Sequence, residues 1–245
     1  YNSDFYFDGS IFDECNSISE ISVPYGNAYY CVVDGHLYDS DIYWLYLYAK
    51  GSESEVYAIP DTVEDIDFSL LADSVNLKKI IIPASVKSIH VWGCPNIEYF
   101  EVSDDNEYFS SIDGSLYSKD GKTLIRQAFV PGTRHMVIRD GVTTIEGEAI
   151  PPMYIESFYY EYSIYIPKSL EVIKHYAFNG CHFSDVYYKV FDEKPSFRSF
   201  NFLNYVEEKG LGDLSSVFTM AKELRHQIRI QKIMNFFLVL KKKNL

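Results

Sequence analysis

Tyr108 to Val142 reads YFSSIDGSLYSKDGKTLIRQAFVPGTRHMVIRDGV, and an earlier stretch of the chain repeats it. A shift of 79 residues carries Asp113-Gly114 onto Asp34-Gly35, Leu116-Tyr117 onto Leu37-Tyr38, Leu124 onto Leu45, Ile138 onto Ile59 and Val142 onto Val63. The same shift pairs Cys94 with Cys15, Val102 with Val23, Asn106 with Asn27, Tyr108 with Tyr29 and Ile145 with Ile66, with no gap. One offset over that length marks a tandem duplication, so the chain is expected to be a repeat architecture rather than a conventional globule.

Shorter patterns lie inside the 79-residue unit. Runs of the form apolar-x-x-apolar-x-apolar occur at Ile18–Val23, Leu77–Ile82 and Ile97–Val102, with a less complete one at Tyr162–Ile166. Alternation of this kind predicts strands, and Pro24, Pro83 and Pro167 stand just after three of them, where no ladder donor is needed. A second pattern follows each: Val63–Ile66, Val86–Ile89, Val142–Ile145 and Leu170–Ile173, the last continuing through Ala177-Phe178 to Cys181. In the compressed coil Ile89–Cys94, Val91 and Trp92 are expected to take the places of that Ala-Phe pair.

Between these coils lie two insertions. Asp120-Gly121 between apolar runs predicts a β-hairpin over Ile112–Ile125, since a primed turn requires positive φ. The earlier copy, Val33–Leu45, is expected to form a hairpin with a different turn, because Asp39-Ser40-Asp41-Ile42 lacks glycine.

Composition narrows the partners. A net charge of −13 disfavours phosphate backbones and anionic membrane faces, so nucleic acid is excluded as a partner. No run approaches the ~18 apolar residues of a membrane-spanning helix. Tyr1 opens the chain without Met or an apolar leader, so it reads as trimmed, with any export signal already removed. Cys15, Cys94 and Cys181 share one repeat position and are expected to be small buried hydrophobes rather than a disulfide framework.

From about residue 190 the repeat stops and the charge balance changes sign, ten Lys or Arg against six Asp or Glu over residues 191–245. The organisation expected is a repeat domain over 1–190 and a tail over 191–245. In that tail, residues 191–213 are loop-like, and Leu214, Val217, Phe218, Ala221, Leu224 and Ile228 follow helical spacing behind an Asp213 cap. Such a helix could cover a cut solenoid end or bind a partner.

The composite pattern apolar-x-x-V-x-I-P-x-x-V-x-x-I-x-x-x-A-F-x-x-C resembles the BspA-like leucine-rich repeats. The best copy is Tyr162–Cys181, YSIYIPKSLEVIKHYAFNGC, with a weaker one at Val56–Ser74, and the resemblance covers about residues 11–188. It implies a β-rich leucine-rich-repeat solenoid of the α/β class, right-handed β/α superhelix type, with inserted β-hairpins and a C-terminal helical segment. It also implies a cell-surface or secreted protein whose relatives are associated with adhesion to host proteins and other bacteria.

No catalytic motif appears: there is no G-x-S-x-G and no cysteine in a nucleophile's setting, so no enzyme and no cofactor is expected. His175, Cys181 and His182 match no zinc spacing, and Asp39, Asp41, Asp104, Asp105 and Asp113 lack a calcium-loop pattern, so no metal is expected either. The candidate site is the outward side of the strands, expected to be the concave face of the solenoid, where Glu98, Tyr99, Glu101, Tyr162, Tyr165, Asp185 and Tyr187 give a tyrosine-rich, acidic face suited to binding. Expected ligands are a protein of the extracellular matrix or of another cell's surface, or second a glycan. The alternatives are a structural spacer without a ligand, or cross-strand aromatic pairing that serves only the sheet.

Overall fold

The computed structural model describes residues 12, 14–94, 97–133, 135–151, 163–179, 181, 185–189 and 197–199. It divides into two compact units, residues 1–131 and 132–245, and each is taken separately.

The first unit opens with an inserted three-stranded antiparallel meander: β1 (Tyr30–Val33), β2 (His36–Asp39) and β3 (Leu45–Leu47). Coil strands follow: β4 (Val56–Ala58), β5 (Asp65–Asp67), β6 (Lys79–Ile82), β7 (Ser88–His90) and β8 (Tyr99–Val102). A second meander closes the unit with β9 (Phe109–Ile112), β10 (Ser115–Ser118) and β11 (Thr123–Arg126). Strands β4, β6 and β8 form one parallel ladder, and β5 with β7 forms another. Each coil therefore contributes two short strands, the second of them centred on the isoleucine of V-x-x-I.

The inward residues of both ladders make the core. Tyr57, Ile80 and Phe100 share a rung and are 2%, 0% and 0% exposed, while Val63, Ile66 and Val86 close the core beneath the second ladder. The bend after β5 is a 3-10 turn at Phe68–Leu71, capped by Asp67, whose carboxylate accepts from the Ser69 amide. This turn delivers Phe68 onto Phe100, stacked with centroids 6.1 Å apart. Among the described residues the links between strands are turns and this single 3-10 segment, so the solenoid is a β-solenoid of leucine-rich-repeat type. The expected β/α superhelix is corrected: about twenty residues per coil, spent on two strands and two bends, leave no length for a helix. The expected C-terminal helix at Leu214–Ile228 lies outside the described residues.

The duplication reproduces geometry as well as sequence. Asp34-Gly35 and Asp113-Gly114 turn β1 into β2 and β9 into β10 with φ of 50° and 83° in one copy and 51° and 77° in the other, the signature of a primed turn. Both meanders also carry the same irregularity, between Leu37 and Tyr38 and between Leu116 and Tyr117. The expected hairpins are present, each with one strand more, and the primed turn is at Asp113-Gly114 rather than Asp120-Gly121. Nor does the turn without glycine differ from its copy. Ile42 takes φ of 60° where Gly121 takes 69°, a costly conformation for a β-branched residue, held by the Thr62 hydroxyl donating to the Ile42 carbonyl.

Asn106 fastens the second meander to its coil. Fully buried, it donates to the Pro83 and Val86 carbonyls at 2.8 Å each and accepts from the Tyr108 and Phe109 amides at 2.9 and 2.8 Å. Asn27, its copy, accepts from the Tyr29 and Tyr30 amides in the same way. Another equivalence changes side chain but keeps function. The Ala49 amide donates to His36 Nδ1 at 3.1 Å, and the matching Ala128 amide donates to Ser115 Oγ at 3.0 Å.

Three expectations near the start and the compressed coil are corrected. Ile18–Val23 pairs with no strand; instead the Ile18 carbonyl accepts from the Gly51 amide at 2.7 Å, where an added Cβ would lie 2.7 Å from the Ser17 backbone. Cys15 is exposed, whereas Cys94 and Cys181 are buried as expected. Trp92 points to solvent and Val91 alone fills the core, because four residues between Ile89 and Cys94 cannot turn both side chains inward. At the edge that β4 forms among the described residues, the Ser54 hydroxyl donates to the Val56 carbonyl and accepts from the Val56 amide, which engages the Val56 groups that face away from β6.

The second unit holds β12 (His135–Val137), β13 (Thr144–Ile145), β14 (Ser163–Ile166), β15 (Val172–Ile173), β16 (Asp185–Lys189) and β17 (Phe197–Ser199). Strands β12, β14 and β16 pair in parallel, as do β13 and β15. β17 then pairs antiparallel with β16, so the expected loop over 191–213 contains a strand that reverses the ladder's direction. Ile164, Ile166, Leu170, Ile173, Ala177, Phe178 and Cys181 are buried as the best-matching repeat requires.

Candidate functional site

Parallel in-register pairing stacks the outward side chains of the first unit into rows. Lys78 and Lys79 amides both donate to the Glu55 carbonyl, and Glu98 and Tyr99 amides to that of Lys78, so the ladder already runs at the strand entrances. Glu55, Lys78 and Glu98 follow one another across it. The next row is Val56, Lys79, Tyr99, and the last Ala58, Ile81, Glu101.

Charge alternates along the first row, and both lysines are paired, Lys78 within its row and Lys79 across to the last. Lys78 bonds Glu55, and that hydrogen bond, with the field of Glu55 and of Glu98, raises the lysine's pKa. Lys79 pairs with Glu101 at 2.5 Å and its ammonium lies 5.6 Å above the Tyr99 ring. Such exposed pairs contribute little to stability, but they fix where the charges and the ring stand. Tyr99 also leans on the second meander, since a Cβ at Gly114 would come within 2.9 Å of its ring. The structure thus brings Glu98, Tyr99 and Glu101 onto one face together with Lys78 and Lys79, which the alternation had marked as outward without selecting them. Glu55, Val56 and Ala58 were missed, because three residues of β4 are too short a run to signal a strand.

In the second unit the ladder aligns His135, Ser163 and Asp185 on one rung and Val137, Tyr165 and Tyr187 two rungs on. Tyr165 is half-buried and Val137 is exposed. Position 187 therefore adjoins position 165, and 185 adjoins 163, while Tyr162 lies outside the described residues.

A buried polar cluster under the first meander escaped sequence reading entirely. His36 stacks on Tyr48 with centroids 4.0 Å apart and meets Tyr57 edge-on at 5.3 Å, and the Tyr38 and Tyr57 hydroxyls share a 2.7 Å hydrogen bond. Burial lowers the His36 pKa from 6.5 to about 4, opposed by Asp34, and burial pushes the Tyr48 phenol up to about 12. Tyr38 and Tyr57 are raised for the same reason, so all four groups are neutral at physiological pH. They support packing rather than chemistry.

Of the cysteine and histidine candidates, Cys181 and His175 pack against neighbouring groups, and His182 lies outside the described residues. Cys181 Sγ faces the Ile150 and Pro151 carbonyls at 3.8 and 3.6 Å, and His175 meets the Tyr176 ring at 3.7 Å. Among the described residues no cluster of three His, Cys, Asp or Glu is placed to hold a metal ion, and no helix is long and apolar enough to cross a membrane.

A family model described as the BspA type leucine rich repeat region matches residues 46–120 and 154–202, in six copies. Those segments make up about half of the chain and extend beyond residue 190 to include β17. Among solved structures, similarity is found to a leucine-rich repeat protein from Eubacterium ventriosum, at 21% identity and TM-score 0.43, covering 53% of this chain and 34% of that one. The pneumococcal vaccine antigen PcpA is similar at 21% identity and TM-score 0.42, with 56% and 40% covered. A leucine rich cell surface protein from Faecalibacterium prausnitzii follows at 23% and 0.44, with 74% and 44% covered. The chain spans less than half the length of each. No curated protein matches.

Proposed function

We propose that this chain, which belongs to the BspA type leucine-rich repeat family, is a non-catalytic binding or adhesion module that recognises a protein ligand through its outward strand face. The observation that carries the reading is the strand that presents Glu98, Tyr99 and Glu101 beside Lys78 and Lys79, an amphipathic ring set among paired charges. A rigid tyrosine flanked by pairable charges suits a polar protein surface, and it gives up little conformational freedom on binding. In the second unit we assign the same role to Tyr162, Tyr165, Asp185 and Tyr187, on their outward positions in the sequence pattern. The location that goes with this role is extracellular or at the cell surface, with the repeat domain over 1–190 and the tail over 191–245 as its cap or as a partner-binding segment.

The spacer reading has one observation in its favour: Lys78 with Glu55, and Lys79 with Glu101, already satisfy one another across the ladder. Two sets of variants separate these readings, Tyr99→Ser with Glu101→Gln, and Tyr162→Ser, Tyr165→Ser and Tyr187→Ser together. Each is measured against arrays of matrix proteins and of glycans, with melting curves to check the fold. A ligand found with the wild type should be lost at least about tenfold in one set, the loss of roughly 1.4 kcal/mol that a single buried aromatic anchor commands. Full retention by both sets rejects the strand face as the site. A glycan as the sole ligand replaces protein by sugar, and silence on both arrays favours the spacer.

A further inference from the structure

The two meanders share one backbone and differ in what their turns present to solvent. The turn after β10 carries Lys119 and Lys122, and the Lys119 ammonium donates to the Asp104 carbonyl at 2.9 Å. In the first meander those lysine positions are Ser40 and Tyr43. Trp44 stands where the second has Thr123, and Tyr25 where it has Asp104. Tyr25, Tyr43 and Trp44 are each more than half exposed. A fold that closes the same turn with Lys, Thr and Asp has no need of these rings, and large aromatic groups left in water mark surfaces that gain from a partner.

The backbone beneath them is set in advance. Pro24 and Asn27 close a tight turn with Gly26 at φ 78°, which puts Tyr25 at its tip, and the Tyr29 carbonyl accepts from the Ser40 amide at 2.9 Å. Asp39 Oδ1 accepts from the Tyr43 and Trp44 amides at 2.7 and 2.9 Å, and Thr62 holds the strained Ile42 between them.

The sequence that carries the rings has charge of one sign. Residues 1–49 contain eight Asp and Glu and neither Lys nor Arg, and Asp61 stands next to the clamping Thr62. Aromatic faces attract ammonium and guanidinium groups, and exposed carboxylates such as Asp41 and Asp61 pair with them. We propose that the first meander docks a Lys- or Arg-rich polypeptide segment of a partner, with its cations over Tyr25, Tyr43 and Trp44. The second meander supplies those cations from its own turn, and so does not offer the same surface. This docking is independent of the strand face and uses none of its residues.

The test uses the whole chain with Trp92→Phe, which leaves Trp44 as the sole tryptophan. Deca-lysine should change Trp44 emission saturably, with half-saturation moving to higher concentration as salt rises, while deca-glutamate and maltohexaose leave it unaltered. Adding Tyr25→Ser and Tyr43→Ser keeps the charge and removes two rings, and should weaken deca-lysine binding about tenfold. Melting curves check that these variants fold; if they do not, the emission of the Trp92→Phe chain alone decides. The proposal is overturned by the absence of a saturable response to deca-lysine, by equal affinity in a folded ring-deleted variant, or by a response to maltohexaose instead.

Discussion

Replacing His36 with Gln should convert an acid-sensitive fold into a less sensitive one. His36 is 4% exposed, stacked on Tyr48, and its Nδ1 accepts the Ala49 amide, so the proton sits on Nε2. Protonating Nδ1 would set one donor against another in a buried site. The pKa is accordingly about 4 in the folded chain against 6.5 when the residue is free. Because the folded value is the lower one, the contribution is complete above pH 6.5. It declines as pH falls through the interval to 4, where the unfolded chain takes up a proton that the folded one refuses, and it levels off below. Two to three pKa units amount to about 3 kcal/mol, a large share of the ~5–15 kcal/mol of a typical domain. Gln offers an acceptor that does not titrate. Urea unfolding of wild type and His36→Gln at pH 7.5, 6, 5 and 4 should show the variant weaker at neutral pH, through lost stacking, and the gap shrinking by about 3 kcal/mol toward pH 4. The many carboxylates titrate in both proteins and cancel in the difference. A gap that stays constant across the series would refute the buried neutral acceptor.

Asn106→Ala should cost about 3–4 kcal/mol, since it removes four buried hydrogen bonds and strands two carbonyls and two amides, while Asn27→Ala at the exposed copy should cost about 1 kcal/mol or less, both read as shifts in urea midpoint. Gly35→Ala and Gly114→Ala share the expense of positive φ, yet only the second drives a Cβ to 2.9 Å from Tyr99. Gly114→Ala should therefore lose about 1 kcal/mol more, and its pairing with Tyr99→Ala should be less than additive in thermal melts.

Much of the architecture can be read from the sequence because a solenoid repeats its instructions. The strands over 79–82, 99–102 and 163–166 follow from alternation, and their outward residues with them. The ladders of β5 with β7 and β13 with β15 could not be read so, since two or three residues show no period. Ile18–Val23 carries the strand pattern without a preceding coil to pair with among the described residues, so the pattern is not realised. Ile42 defeats the glycine rule because Thr62, twenty residues away, holds the turn. The His36 cluster is illegible for a related reason: its members come from β2, the segment after β3, and β4, and no local spacing connects them.

Ser54 has an effect on how copies of the chain behave in a crowd. An open parallel edge invites any extended peptide to add a rung, and molecules packed at high density would then grow into sheets. At β4 the amide and carbonyl of Val56 are already bonded to a single hydroxyl of the same chain. An arriving strand must first break that contact, so the edge is a poor seed for edge-to-edge polymerisation.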